Sequence, residues 1–178
     1  MTTPMLLVYA VPLLFMASSA MAQGDRFFLR DLGVSIGFDA ETQLSIQSYE
    51  VSGTIASPWG WKLGESRHLR LDFELGVGVL DGEGSTGGFV RIAPLFDLSS
   101  DAWPVSLFLT TGPVLLTEDK YGDLDLGGHF HFASALGLNW RLGKGWSVAY
   151  RIQHISNAGI SNPNPGLDLH LFRVVRSF

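Results

Sequence analysis

The sequence predicts an all-β chain, an eight-stranded antiparallel transmembrane β-barrel with a filled polar interior. Three observations lead there. A period of two dominates eight successive runs of roughly ten residues, the spacing at which an extended strand presents side chains to opposite faces. One face of these runs is almost free of charge, while the other carries Arg70, Asp72, Glu74, Arg91, His131, Arg141 and Arg151, which must pair with one another. Lipid satisfies no backbone group and only a closed sheet has no edge, so an apolar exterior around a polar interior reads as a barrel in a membrane. Finally, Trp103, Trp140 and Trp146 fall beside the short turns, where interface anchors belong. Eight strands leave an interior just wide enough for side chains, so no pore is expected.

Composition agrees with this reading. The 178 residues suit one domain, and 46% hydrophobic against 16% charged, with 21 glycines, favours a strand-rich or membrane-associated chain. A net charge of −5 argues against nucleic acid as a partner. With no cysteine there is no disulfide framework, thiol nucleophile or thiolate metal site. Met1 to Ala22 hold no charged side chain, carry an apolar run from Leu6 to Met16 and end in Ala20-Met21-Ala22. That pattern predicts a secretory signal peptide over 1–22, cleaved before Gln23, and a barrel domain over 23–178. The apolar run is too short to span a bilayer of about 30 Å as a helix.

Run one, Phe27 to Phe38, sets Val34, Ile36 and Phe38 against Gly33, Ser35 and Gly37, and Asp39 to Gln43 close it. Run two, Leu44 to Ala56, alternates poorly, and Ser57 to Ser66 connect it onward. In run three Leu69, Leu71, Phe73, Leu75, Val77 and Val79 oppose Arg70, Asp72, Glu74, Gly76 and Gly78. Asp81 to Gly87 read as a glycine-rich loop. Run four sets Val90, Ile92, Pro94, Phe96 and Leu98 against Phe89, Arg91, Ala93, Leu95 and Asp97; after the link Ser99 to Ala102, run five starts at Trp103 and reaches Pro113. A polar loop from Thr117 to Gly128 precedes run six, where Phe130, Phe132, Leu136, Leu138, Trp140 and Leu142 oppose His129, His131, Asn139 and Arg141. Gly143-Lys144-Gly145 turn into run seven, with Trp146, Val148, Tyr150 and Ile152 on one face. Run eight spans Leu167 to Phe178.

The candidate chemistry sits between the last two runs. His154 and Ser156 are two apart on a strand and therefore share a face. Asp168 follows a loop of two prolines, two glycines and two asparagines over Ala158 to Gly166, which brings its carboxylate alongside on the neighbouring strand. A hydroxyl, an imidazole and a carboxylate so placed can activate a serine for attack on an ester. With both termini periplasmic, run seven rises outward and run eight descends, which puts all three at the outer end. His154 and Ser156 continue the even series of Trp146, Val148, Tyr150 and Ile152, so they face lipid. Polar groups there are costly and want a reason, unless they lie above the apolar band among the headgroups.

The segment His154-x-Ser156-Asn157-Ala158-Gly159, then Pro163-Asn164-x-Gly166, then an acidic residue at 168, strongly resembles the PagL-like lipid A 3-O-deacylases of Gram-negative outer membranes. The similarity is specific over about Trp146 to Phe172 and architectural elsewhere, and a terminal Phe178 after a strand resembles the C-terminal signature of bacterial outer-membrane barrels. The resemblance implies a serine esterase that hydrolyses the 3-position acyl ester of lipid A, with lipopolysaccharide as substrate and outer-membrane lipids as surroundings. By position, Ser156 would be the nucleophile, His154 the general base, Asp168 the group that orients the imidazole and Asn164 the oxyanion-hole residue, supplemented by backbone N–H groups near Gly159 or Gly166. The family's third residue is typically glutamate, and Asp168 is one methylene shorter.

No cofactor is expected. His129 and His131 are read as facing inward together without a carboxylate at ligand spacing, so internal hydrogen bonding is expected there and no metal. His170 is read as interfacial, and Arg173 and Arg176 as residues of the periplasmic boundary. The competing readings are a non-enzymatic small outer-membrane barrel that stabilises the membrane or binds a surface partner through the loops at Asp81 to Gly87 and Thr117 to Gly128, and a lipid acyltransferase. A homodimer is compatible with the sequence but not specified by it.

Overall fold

The computed structural model describes residues 27–40 and 45–178; the leader predicted over Met1 to Ala22 lies outside the described residues. Eight long strands make the barrel: β1 (Phe28–Asp39), β2 (Gln47–Ala56), β3 (Arg67–Gly82), β4 (Ser85–Ser100), β5 (Val105–Leu116), β6 (Phe130–Gly143), β7 (Trp146–Ser156) and β8 (Leu167–Ser177). Each pairs antiparallel with its neighbours in the chain, and β1 pairs with β8 from Asp31 opposite Ser177 to Asp39 opposite Leu169, which closes the sheet. A three-residue strand, Gly60–Lys62, adds to β3, and a small ribbon of Lys120–Tyr121 and Leu124–Asp125 lies in the loop after β5. No edge is left among the eight, as an element in lipid requires.

The alternation read from the sequence is the alternation of the barrel wall. Leu107, Leu109, Leu136, Leu138, Ile152, Phe172 and Val174 are exposed on the outside. All five tryptophans, at 59, 61, 103, 140 and 146, lie at one end, by the links that also hold the chain's first and last described residues. That end is the inner, periplasmic one in the orientation of outer-membrane barrels, which have short periplasmic turns.

Inside, Glu50 and Glu74 meet three arginines. Arg91 donates to both carboxylates, with 2.7 and 3.0 Å bonds to Glu50. Arg151 donates at 2.8 Å to Glu74 and 3.0 Å to Glu50, and Arg173 donates to the other oxygen of Glu74. Glu50 escaped notice in the sequence because the outward face of β2 includes Gly53, which blurs the pattern; Ser48, Glu50, Ser52 and Thr54 do alternate inward. Arg173 is a correction: it continues the inward series Leu167, Leu169 and Leu171 and lies in the interior, whereas Arg176 stays at the inner rim against Trp146 and the carbonyl of Lys144. Not all interior polar groups pair with one another as expected. Arg141 is exposed at the inner rim, where it donates to the carbonyls of Ser100 and Trp103, and the buried His131 bonds the carbonyl of Gly128. His129 does not face inward beside His131 but is exposed ahead of β6.

The interior is layered. Above the ionic layer, Leu80, Phe89, Val114, Leu116, Ile155, Leu167, Leu169 and Leu171 form an apolar plug at the outer end, covered by Tyr121 and Leu126 from the loop after β5. Burial, reinforced by Glu118, Asp119 and Asp81, pushes the Tyr121 phenol up to about 12, so this cover stays neutral. Below the ionic layer a polar vestibule of about 470 Å³ opens inward, lined by Arg30, Asp31, Arg70, Asp97 and Arg173 among others. The stretch Asp81 to Gly87 is not a loop: β3 and β4 run on to a two-residue turn at Glu83-Gly84, with φ of 51° and 81°. Its glycines serve that left-handed turn and the close packing of the hairpin.

Candidate active site

Strand register builds the site. His154 on β7 lies directly opposite Asp168 on β8, so the two Cα atoms are only about 4.5–5.5 Å apart. At that separation aspartate is long enough: His154 Nδ1 and Asp168 Oδ1 are 2.7 Å apart. Both side chains project from the outer wall, about half exposed. Ser156 shares their face and ends β7. With Nδ1 engaged by the carboxylate, Nε2 is the ring edge left for a hydroxyl.

The chain beyond Ser156 is held by a residue to which the sequence assigned no role. Asn157 turns inward and is fully buried. Its amide nitrogen donates to the carbonyls of Leu126 (3.1 Å) and Pro163 (3.1 Å) and to Ser161 Oγ (3.0 Å), while its oxygen accepts from Gly159 N (2.9 Å). This one amide ties the loop after β7 to the loop after β5. The backbone N–H of Asn157 donates to Asn164 Oδ1 at 3.0 Å, which fixes the Asn164 amide with its nitrogen free to donate. Of the backbone N–H groups near Gly159 or Gly166 expected to supplement Asn164, that of Gly159 donates to Asn157 Oδ1.

Gly166, with φ of 79°, packs on the imidazole: a Cβ there would lie 2.7 Å from His154 Cε1. Gly166→Ala is therefore expected to push the ring out of line and to lower kcat on an ester substrate by about 10–100-fold, because misplacement by an ångström costs that much. Steady-state hydrolysis by the folded variant checks it.

Two further polar residues occupy the outer wall. Ser134 on β6 lies opposite His154, and its Oγ is 2.8 Å from Thr111 Oγ1 on β5. Sequence reasoning passed over both, although Ser134 interrupts an apolar outward series that runs from Phe130 to Leu142. His170 stacks on Tyr150, with Nδ1 2.6 Å from the phenol oxygen, among outward residues below Asp168. Among the described residues no cluster of three or more potential ligands could hold a metal ion.

Fold and site together define a class: a transmembrane barrel of the outer-membrane type that carries a hydroxyl, an imidazole and a carboxylate on its lipid face. A family model described as lipid A 3-O-deacylase (PagL) matches residues 47–177, and the chain belongs to that family. Among curated relatives, lipid A deacylase PagL of Bordetella bronchiseptica is 36% identical over 58 residues, 33% of each chain. Lipid A deacylase PagL of Pseudomonas aeruginosa is 28% identical over 88 residues, 48% of this chain and 51% of that one. The chain thus spans about half the length, or less, of the curated relatives it matches. The crystal structure of the outer membrane enzyme PagL superposes with a TM-score of 0.72 at 21% identity, over 83% of this chain and 99% of that one. The N-terminal β-barrel domain of Pseudomonas aeruginosa OprF shares the architecture at 11% identity, with a TM-score of 0.55 over 88% of this chain and all of that one.

Proposed function

We propose that this chain is an outer-membrane lipid A 3-O-deacylase, exported by the leader at 1–22 and acting through Ser156, His154, Asp168 and Asn164. The observation that carries the proposal is the 2.7 Å contact of His154 Nδ1 with Asp168 on the lipid face, beside a serine on the same face. Such a set has no part in holding the barrel together, and it lies where the ester linkages of an outer-leaflet lipid would pass.

In the first half-reaction Ser156 Oγ attacks the ester carbonyl as its proton passes to His154 Nε2. Asp168 stabilises the imidazolium, and the Asn164 amide donates to the oxyanion. Collapse of the tetrahedral intermediate expels the sugar oxygen, which takes the proton from His154 and leaves an acyl-serine. Water, deprotonated by His154, then attacks that ester and releases the fatty acid and free Ser156. The low dielectric of the headgroup boundary strengthens each of these charged contacts relative to water.

Mass spectrometry of lipid A from cells with and without the protein tests the proposal. Loss of one 3-linked acyl chain is expected only when it is present; identical lipid A in both would argue for a non-enzymatic barrel. Asp168→Asn is expected to leave the barrel folded and to lower kcat by about 10²–10⁴-fold, since the amide favours the wrong imidazole tautomer. Hydrolysis of a purified lipid by the refolded variant measures it.

A further inference from the structure

His131 is a fully buried titratable side chain that the proposed mechanism leaves unused. It is the second residue of β6 from the outer end, and its register partner on β5, Val114, belongs to the apolar plug. Nε2 is 2.5 Å from the carbonyl of Gly128, and a carbonyl only accepts, so Nε2 carries the proton. Nδ1 is then a bare lone pair, buried with no hydrogen-bond partner among the described residues. A leucine here would bury no unpaired polar atom, so packing alone gives no reason for an imidazole. The reason lies in what Gly128 supports.

The loop after β7 leans on the residues just before Gly128. Asn157 donates to the carbonyl of Leu126 at 3.1 Å and to that of Gly127 at 3.4 Å, and Ser161 Oγ donates to the Gly127 carbonyl as well. Gly127 packs so closely on Pro163 that a Cβ at 127 would lie 1.9 Å from the Pro163 carbonyl oxygen. Pro163 precedes Asn164, whose Oδ1 accepts from the Asn157 N–H at 3.0 Å. A continuous chain of contacts therefore runs from the imidazole through Gly128, Gly127 and Pro163 to the Asn164 amide. An oxyanion donor stabilises the developing charge only if it is held in place beforehand, and displacement by an ångström costs about 10–100-fold in rate.

We infer that His131 is a positioning residue for the ester hydrolysis. Its Nε2–H anchors the end of the loop after β5 to the barrel wall, and that loop sets the place of the Asn164 amide. The inference rests on the hydrolase function and the oxyanion role of Asn164 proposed above.

The test measures release of fatty acid from lipid A in detergent micelles by refolded His131→Leu, alone and combined with Asn164→Ala. Alone, the variant is expected to lower kcat about tenfold with KM unchanged; on Asn164→Ala, where no amide is left to position, the further loss is expected to stay below about twofold. His131→Gln keeps an N–H donor and is expected to retain most of the rate. Should His131→Leu fail to fold, His131→Met, whose flexible side chain adapts to an apolar layer, takes its place. Equal losses in both backgrounds would mean that the imidazole serves the fold alone, and no loss in the first that it serves neither; each overturns the inference and leaves the hydrolase function standing. Asn164→Ala as active as the wild type removes the oxyanion role and that of His131 with it. A wild type inactive on lipid A removes the hydrolase function itself, and this inference too.

Discussion

Ser156→Ala is expected to abolish acyl-ester hydrolysis, by about 10³-fold or more in kcat, while the barrel folds and migrates as the wild type does on a heat-modifiability gel. Ser156 ends β7 on the outward face, away from the buried ionic layer, so its hydroxyl is expected to be dispensable for folding. Without it there is no acyl-enzyme, and only weak hydrolysis by His154-activated water remains. The sharpest alternative is Ser134, which is directly opposite the same imidazole. A serine-directed fluorophosphonate distinguishes them: the label is expected on Ser156 and absent from Ser156→Ala. Labelling that persists in Ser156→Ala and vanishes in Ser134→Ala would move the nucleophile to β6.

The second large effect concerns the interior. Glu74→Ala is expected to lower barrel stability by about 3–5 kcal/mol, read as a shift in urea unfolding in lipid vesicles. Glu74 is fully buried and receives donors from Arg91, Arg151 and Arg173, so its removal leaves Arg91 and Arg151 with Glu50 alone and takes from Arg173 the carboxylate it donates to. Arg173 already has two nitrogens, Nε and Nη2, without a partner, and it loses its carboxylate as well. Replacing it too, in Glu74→Ala with Arg173→Met, is expected to recover part of the loss, because the two groups are coupled. A shift below about 1 kcal/mol in the single variant would mean that water from the vestibule screens the charges.

Period-two alternation was enough to reach the strand number, the closed sheet and the outward direction of His154 and Ser156, because parity along a strand is a local property. The same parity, applied to Arg173, would have placed it inside; its nearness to the chain end was misleading. Glu50 was hidden because Gly53 contributes no hydropathy to the outward face of β2. The Asp81 to Gly87 hairpin was mistaken for a loop since its glycines serve both a tight turn and close strand packing.

By itself, then, the sequence determined which face of most strands meets lipid and which chemistry the outer rim could hold. Tertiary structure decided everything that depends on register between strands. That Asp168 reaches His154 in spite of its missing methylene, that Asn157 secures the loops and leaves Asn164 free to donate, and that Ser134 meets Thr111 beside the imidazole all follow from which residues come to lie opposite one another. Cross-strand partners are set by turn lengths, bulges and barrel closure together, and no single strand's pattern encodes them.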